Sequence, residues 1–157
     1  GSLACFDLRL KDPSPLIPEV PDAAFVRFTS GTTGASKGVV LSERSALERL
    51  EAAARAVDAG PDDVVVWVLP MSFHFIVSIV LYLHEGIPFA LCGEQSPQGI
   101  AETAARHRSA IFYASPTTYL LLLSLPKEER LPTLRKAFCT TSALSHEVAA
   151  RFSARFG

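Results

Sequence analysis

A ten-residue run between two short apolar segments concentrates the chemical groups that bind phosphate. Residues 29–38 read TSGTTGASKG, with three glycines, five hydroxyl side chains and one lysine. Glycines let a backbone approach a ligand closely and adopt positive φ angles, and successive N–H groups in such a turn form an anion-binding concavity. Lys37 adds a point positive charge. The run therefore predicts a loop that binds the phosphates of a nucleotide.

The run differs from two other phosphate-binding motifs. A P-loop needs Gly-Lys followed by Ser or Thr, whereas here Ser36 precedes Lys37 and Gly38 follows it. The G-x-G-x-x-G pattern is also not matched. A Ser/Thr/Gly-rich stretch is compatible with a solvated hairpin turn, but the length of this one and the lysine at its end favour phosphate binding.

The longer segment from Phe28 to Val39, FTSGTTGASKGV, resembles the phosphate-loop motif of the adenylate-forming superfamily. That superfamily includes acyl- and aryl-CoA synthetases, adenylation domains of peptide synthetases and beetle luciferases, and its usual motif has proline where Ser36 stands. The resemblance spans residues 25–157. It implies that the ATP phosphates are bound by Thr29, Ser30, Gly31, Thr32, Thr33, Gly34, Ser36 and Lys37.

A second segment, LPMSFHF at 69–75, is similar to the stretch beside the acyl pocket in that superfamily. The similarity implies that His74, with Phe73, borders the substrate carboxylate. Members that activate amino acids tend to carry an aspartate here, and its absence favours a substrate without an α-amino group, namely a fatty or aryl acid. The alternative is that His74 is a hydrogen-bonded core histidine in a buried helix.

A third segment, residues 134–145, looks like the strand and loop that line the adenine and acyl sites. The resemblance implies that Thr140, Thr141 and Ser142 form this wall. Thr140 and Thr141 stand where the superfamily usually has a Gly-Gly pair. Their side chains would fill space that a ligand normally uses, which leaves adenine placement and the depth of the acyl pocket open.

The resemblance implies a two-step reaction that uses ATP, Mg²⁺ and coenzyme A. A small-molecule carboxylate forms an acyl-adenylate, and a thiol then accepts the acyl group. The superfamily's magnesium ligand, ribose aspartate and catalytic lysine lie outside this chain. We therefore expect this chain to be a piece of the large N-terminal domain, with no complete catalytic or metal site. We expect it to pack against the remainder of the same polypeptide and to be inactive alone.

Two alternatives remain open on the sequence. The chain could be a non-catalytic module that binds a nucleotide or a partner protein, an interpretation supported by Thr140 and Thr141. It could also derive from an amino-acid adenylation domain of a peptide synthetase, although His74 argues against this.

Composition narrows the class of protein. The 157 residues fit one domain, and a net charge of −1 lacks the basic excess of a nucleic-acid-binding protein. Cys5, Cys92 and Cys139 form no CxxC pair, which favours a reducing, cytoplasmic setting. The apolar stretch 64–83 is interrupted by proline, serine and histidine, so we expect no membrane span.

The order of predicted elements indicates how these segments are positioned. Residues 1–24 read as an extended lead-in that begins with a cloning remnant, Gly1-Ser2, and contains four prolines. From residue 25 onward we expect one α/β subdomain: a mostly parallel sheet with helices on both faces. The predicted strands are 24–28, 38–41, 63–69, 87–92, 110–113 and 134–139, and the first two form a hairpin around the loop.

Helices are predicted between most of these strands. The first helix is predicted to begin near Ser42 and the last after Ser145. The three between them are predicted to span 72–85, 97–108 and 116–125. Ser45 and Glu48 have the spacing of a capping box in the first helix. Ser96, Ser115 and Ser145 are expected to cap the last three.

Overall fold

The computed structural model describes residues 22–29, 37–70 and 74–157, excluding the side chains of Thr29 and Lys37. The chain divides into two units, Gly1–Ala46 and Leu47–Gly157. In the first unit, strands β1 (Ala23–Thr29) and β2 (Lys37–Ser42) pair in antiparallel fashion. The expected hairpin around the loop is therefore confirmed.

A close contact across this hairpin explains one of its glycines. A Cβ atom at Gly38 would lie 3.0 Å from Cγ1 of Val26 and 3.6 Å from the ring of Phe28. Glycine leaves this space to the two apolar side chains of the facing strand.

Helix α1 (Glu43–Val57) begins directly after β2. The hydroxyl of Ser42 accepts a hydrogen bond from the backbone N–H of Ser45 at 3.2 Å, which satisfies one of the free donors of the first turn. The predicted capping box is therefore wrong, because Ser45 and Glu48 both lie inside the helix.

The second unit contains a four-stranded sheet. Its strands are β3 (Val65–Trp67), β4 (Phe89–Leu91), β5 (Ile111–Ala114) and β6 (Lys136–Cys139). They lie in the order β4-β3-β5-β6, and each neighbouring pair is parallel. The α/β prediction is confirmed, and β3, β4 and β6 are shorter than the apolar runs that predicted them, whereas β5 is shifted by one residue.

Two hydrophobic clusters cover the two faces of this sheet, because successive strand residues point in opposite directions. Val66 and Phe112 belong to one cluster, together with residues of α3 (Pro97–Arg106), α4 (Pro116–Leu123) and α5 (His146–Phe156). Val65, Trp67 and Ile111 belong to the other, with residues of α1, a π-helix (Ile76–Val80) and α2 (Leu81–His84). Helices thus flank both faces.

Three helices begin at the predicted serines, but the serines do not all act alike. Ser96 and Ser145 accept hydrogen bonds from the N–H groups of Gly99 (3.0 Å) and Val148 (3.3 Å). The hydroxyl of Ser115 lies instead 3.2 Å from that of Thr118. The helix start at Ser115 is confirmed, and its hydroxyl makes no capping bond to the backbone.

The predicted helix at 72–85 begins later than expected. Residues 71–73 lie outside the described part of the chain, and His74 has a left-handed φ of 52°, which no α-helical residue adopts. The N–H of Val80 bonds the carbonyl of Phe75, five residues back, at 3.0 Å, which makes the first turn a π-helix. No helix among the described residues is long and apolar enough to cross a membrane.

Candidate functional site

The carboxyl ends of the parallel strands bring aromatic side chains together. The rings of Trp67 on β3 and Tyr113 on β5 stack with centroids 5.6 Å apart and an interplanar angle of 13°. The ring of Phe138 on β6 lies 6.3 Å from that of Tyr113. In open α/β sheets, ligands bind outside the carboxyl ends of the strands, so this edge is the candidate site.

His74 joins this edge of the sheet. Its Nε2 atom lies 3.0 Å from Oγ1 of Thr140, the residue that follows β6. Its ring also meets Tyr113 edge-on, with centroids 6.4 Å apart. Both His74 and Thr140 are half-buried. The structure therefore brings together two candidate residues that the sequence placed in different segments.

The backbone is unusual on both sides of this contact. His74 has φ 52° and Thr141 has φ 74°, in the left-handed region that favours glycine. A β-branched residue such as threonine is a genuine outlier there. Such conformations cost on the order of 1–3 kcal/mol and concentrate at functional sites. Two of the five non-glycine residues with positive φ in the described part of the chain thus lie beside this contact.

Thr140 is held in place by the sheet. Its N–H bonds the carbonyl of Ala114 at 3.0 Å, which extends the pairing of β5 with β6 by one step. Ser142 is exposed, and its carbonyl lies 3.8 Å from the sulfur of Cys139. Burial raises the pKa of the Cys139 thiol, so this cysteine is favoured as the neutral thiol.

Comparison with known proteins identifies the family. Residues 6–157 match the family model described as AMP-binding enzyme. The chain belongs to the AMP-binding enzyme family. Its predicted resemblance to the adenylate-forming superfamily is thereby confirmed.

Two relatives of this chain are CoA ligases. It is 32% identical over 148 residues to a sulfoacetate–CoA ligase of Cupriavidus necator, covering 92% of this chain and 29% of that protein. It is 32% identical over 142 residues to a benzoate–CoA ligase of Thauera aromatica, covering 87% of this chain and 27% of the ligase.

A solved structure gives the same fold. ATP-bound MatB from Rhodopseudomonas palustris is 26% identical with a TM-score of 0.76, over 90% of this chain and 29% of MatB. The chain thus spans less than a third of the length of these relatives.

The predicted phosphate loop lies largely outside the described residues, which exclude 30–36, and Phe73 lies outside them too. The two ends of the loop are described. Thr29 and Lys37 are backbone partners at the last position of the hairpin ladder. Directly opposite residues in an antiparallel pair have Cα atoms about 4.5–5.5 Å apart. The hairpin therefore closes the loop at its base.

The aromatic residues around His74 were not among the predicted site residues. In the sequence, Trp67, Tyr113 and Phe138 are parts of the predicted strands 63–69, 110–113 and 134–139. Their place near the ends of the apolar runs that form β3, β5 and β6 could have identified them as site residues, since parallel strands share one carboxyl edge. Buried Ser78, whose hydroxyl donates to the carbonyl of His74 at 2.7 Å, gave no signal that separated it from other helix serines.

Proposed function

We propose that the chain is part of an ATP-dependent ligase that activates a carboxylate as an acyl-adenylate and then transfers the acyl group to coenzyme A. In the first step a carboxylate oxygen attacks the α-phosphorus of ATP and pyrophosphate leaves. In the second step a thiol attacks the acyl carbonyl and AMP leaves. The match of residues 6–157 to the AMP-binding enzyme family is the observation that carries this proposal, and the contact between His74 and Thr140 marks the candidate substrate side.

The nucleotide side of the proposal rests on residues 29–38. A loop with three glycines and five hydroxyl groups, closed at its base by the Thr29–Lys37 pair, fits the β- and γ-phosphates of ATP. Lys37 would offset the charge that develops on the phosphates. Mg²⁺ would offset phosphate charge, and we expect its protein ligand to lie outside this chain.

The substrate side rests on His74 and the rings beside it. An imidazole at Tyr113 and Thr140 is suited to border a carboxylate, because it can present a hydrogen-bond donor to an anion. The half-buried ring of Tyr113, which stacks on buried Trp67, supplies apolar surface near it. We propose a fatty or aryl acid, and segment 69–75 contains no aspartate that could bind an α-ammonium group.

Replacing Lys37 tests the phosphate role. In the full-length enzyme that carries this chain, Lys37→Ala should lower the rate of ATP–pyrophosphate exchange by roughly 100-fold, because one preformed charge contact to the reacting phosphates is lost. Lys127→Ala, at an exposed lysine after α4, is the matched control and should leave exchange unchanged. Full rate and full ATP affinity in Lys37→Ala would contradict the proposed role of the loop.

The isolated 157 residues should be inactive, since the ribose, magnesium and catalytic-lysine contacts of the superfamily lie elsewhere. Pyrophosphate exchange measured on the purified chain with fatty and aryl acids should show no turnover. Robust exchange with any carboxylate would contradict this part of the proposal.

A non-catalytic nucleotide-binding module is the second candidate, and it is favoured by the side chains of Thr140 and Thr141. Calorimetry with ATP on the full-length protein, combined with the exchange assay, separates the two. ATP binding without exchange for any acid would favour the module.

A further inference from the structure

The backbones of His74 and Thr140 are each held by contacts other than the hydrogen bond between their side chains. Thr140 is fixed through its backbone bond to Ala114. Threonine also has restricted rotation about χ1, since two heavy atoms branch at Cβ. The sheet therefore fixes the backbone of Thr140, and the branching at Cβ restricts the directions that its hydroxyl can take.

The backbone of His74 is also held. The hydroxyl of Ser78, which is fully buried, donates to the His74 carbonyl at 2.7 Å. This bond ties the left-handed residue to the π-helix that follows it. Nε2 of the His74 ring lies 3.0 Å from Oγ1 of Thr140, and the ring packs against that of Tyr113 in a T-shaped arrangement.

We propose that Thr140 is a positioning residue for His74: its hydroxyl holds Nε2 and thereby helps to set the orientation of the imidazole toward the substrate carboxylate. The part of this statement that concerns the carboxylate rests on the proposed function. A hydroxyl both donates and accepts. It can donate to Nε2 of a neutral ring or accept from a protonated Nε2, so the bond survives a change in the charge of His74.

The inference also gives Thr140 a role, the positioning of His74, at a place where the superfamily usually has glycine. A glycine there cannot hold an imidazole. In this chain the Thr140 side chain occupies the space that a glycine would leave and is hydrogen-bonded to His74, the residue proposed to border the substrate. The position therefore contributes to the fixed geometry of the site and not only to a narrower pocket.

Nitrogen-15 NMR of the histidine rings tests the positioning directly on the 157-residue chain. The signals of His74 are assigned by their loss in His74→Gln. Thr140→Val removes the hydroxyl at nearly constant shape, Thr140→Ala is a second hydroxyl-free variant, and Thr140→Ser keeps the hydroxyl. Thr117→Val, at an exposed threonine of α4, is the matched control.

In Thr140→Val and Thr140→Ala, the two ring nitrogens of His74 should move toward the shifts of the exposed residues His107 and His146 in the same spectrum. Thr140→Ser and Thr117→Val should keep the wild-type shifts. Circular dichroism identifies any variant that fails to fold, and the second hydroxyl-free variant then decides. Wild-type His74 shifts in a folded hydroxyl-free variant would overturn the inference.

Kinetics on the full-length enzyme separate this inference from the proposed function. Loss of one neutral hydrogen bond should raise KM for the carboxylate about three- to tenfold in Thr140→Val, with rescue to within about twofold in Thr140→Ser. If the NMR result holds and His74→Ala leaves carboxylate KM unchanged, Thr140 still positions His74 but the proposed contact with substrate is wrong. If the NMR result fails, the positioning is wrong whatever the kinetics.

Discussion

At the residue scale, some polar side-chain atoms at the carboxyl edge of the sheet make hydrogen bonds and others make none. His74 and Thr140 bond each other. In the described part of the chain, buried Trp67 Nε1 and the hydroxyl of Tyr119 make no hydrogen bond. Unpaired buried polar atoms are rare in folded proteins because each loses its bonds to water. Trp67 stacks on the ring that touches His74, so one of these atoms lies beside the candidate site.

Tyr119 allows a test of this cost. Its ring packs on Phe112 (5.4 Å) and Phe152 (4.7 Å), and these contacts do not involve the hydroxyl. Tyr119→Phe should therefore leave the free energy of unfolding unchanged or raise it by about 1 kcal/mol, because an unpaired buried hydroxyl is removed. Urea denaturation measures the change. Tyr119→Ala, which loses the ring, should instead lower it by about 3–5 kcal/mol, and a loss of comparable size in Tyr119→Phe would contradict the interpretation.

At the element scale, helix starts depend on which bond the capping side chain makes. Ser96 and Ser115 both precede a proline and both begin a helix. Only Ser96 bonds a backbone N–H of the first turn. The same dipeptide therefore stabilises α3 directly, whereas at α4 the serine hydroxyl bonds a side chain.

A paired substitution distinguishes the two serines. Ser96→Ala should lower the free energy of unfolding by about 1 kcal/mol, the usual cost of losing an N-cap. Ser115→Ala is the matched control and should cost less than half as much, because no backbone donor is left unpaired. Thermal or urea unfolding of both variants measures the difference. Equal losses would show that the hydrogen bond of Ser96 is not the source of its effect.

Strand and helix alternation was predictable because apolar runs and Ser-Pro pairs are local signals. The start of α1 and the segment after β3 were not. Ser42 and Ser45 are both reasonable caps by composition, and the end of β2 selects Ser42. The left-handed φ of His74 and the π-helical turn depend on contacts with Ser78, Thr140 and Tyr113, which no 3.6-residue period encodes.

At the scale of the whole molecule, buried tyrosines link stability to pH. Burial raises the pKa of Tyr82 and of Tyr119 well above the ordinary tyrosine value, with smaller contributions from Tyr113 and Cys139 respectively. The neutral form is favoured in the folded state. Stability is therefore complete below the pKa of an unfolded tyrosine and is lost as the pH rises above it.

Alkaline unfolding measures this effect. The free energy of unfolding should be flat with respect to these groups below about pH 9, and above about pH 10 each tyrosine should remove up to about 1.4 kcal/mol per pH unit. Urea titrations at several pH values give the slope. Tyr119→Phe removes one of the two groups and should make the alkaline decline shallower. An unchanged slope in this variant would contradict the contribution of Tyr119.

The sequence by itself determined the composition of residues 29–38, the hairpin around them and the alternation of strands and helices, because each depends on residues close together in the chain. Only the tertiary structure decided that His74 and Thr140 meet, since they are 66 positions apart. The carboxyl ends of parallel strands come to lie at a common edge because a helical crossover after each strand brings the chain back to the opposite edge of the sheet. That return places Thr140 beside an imidazole whose left-handed backbone is tied to Ser78.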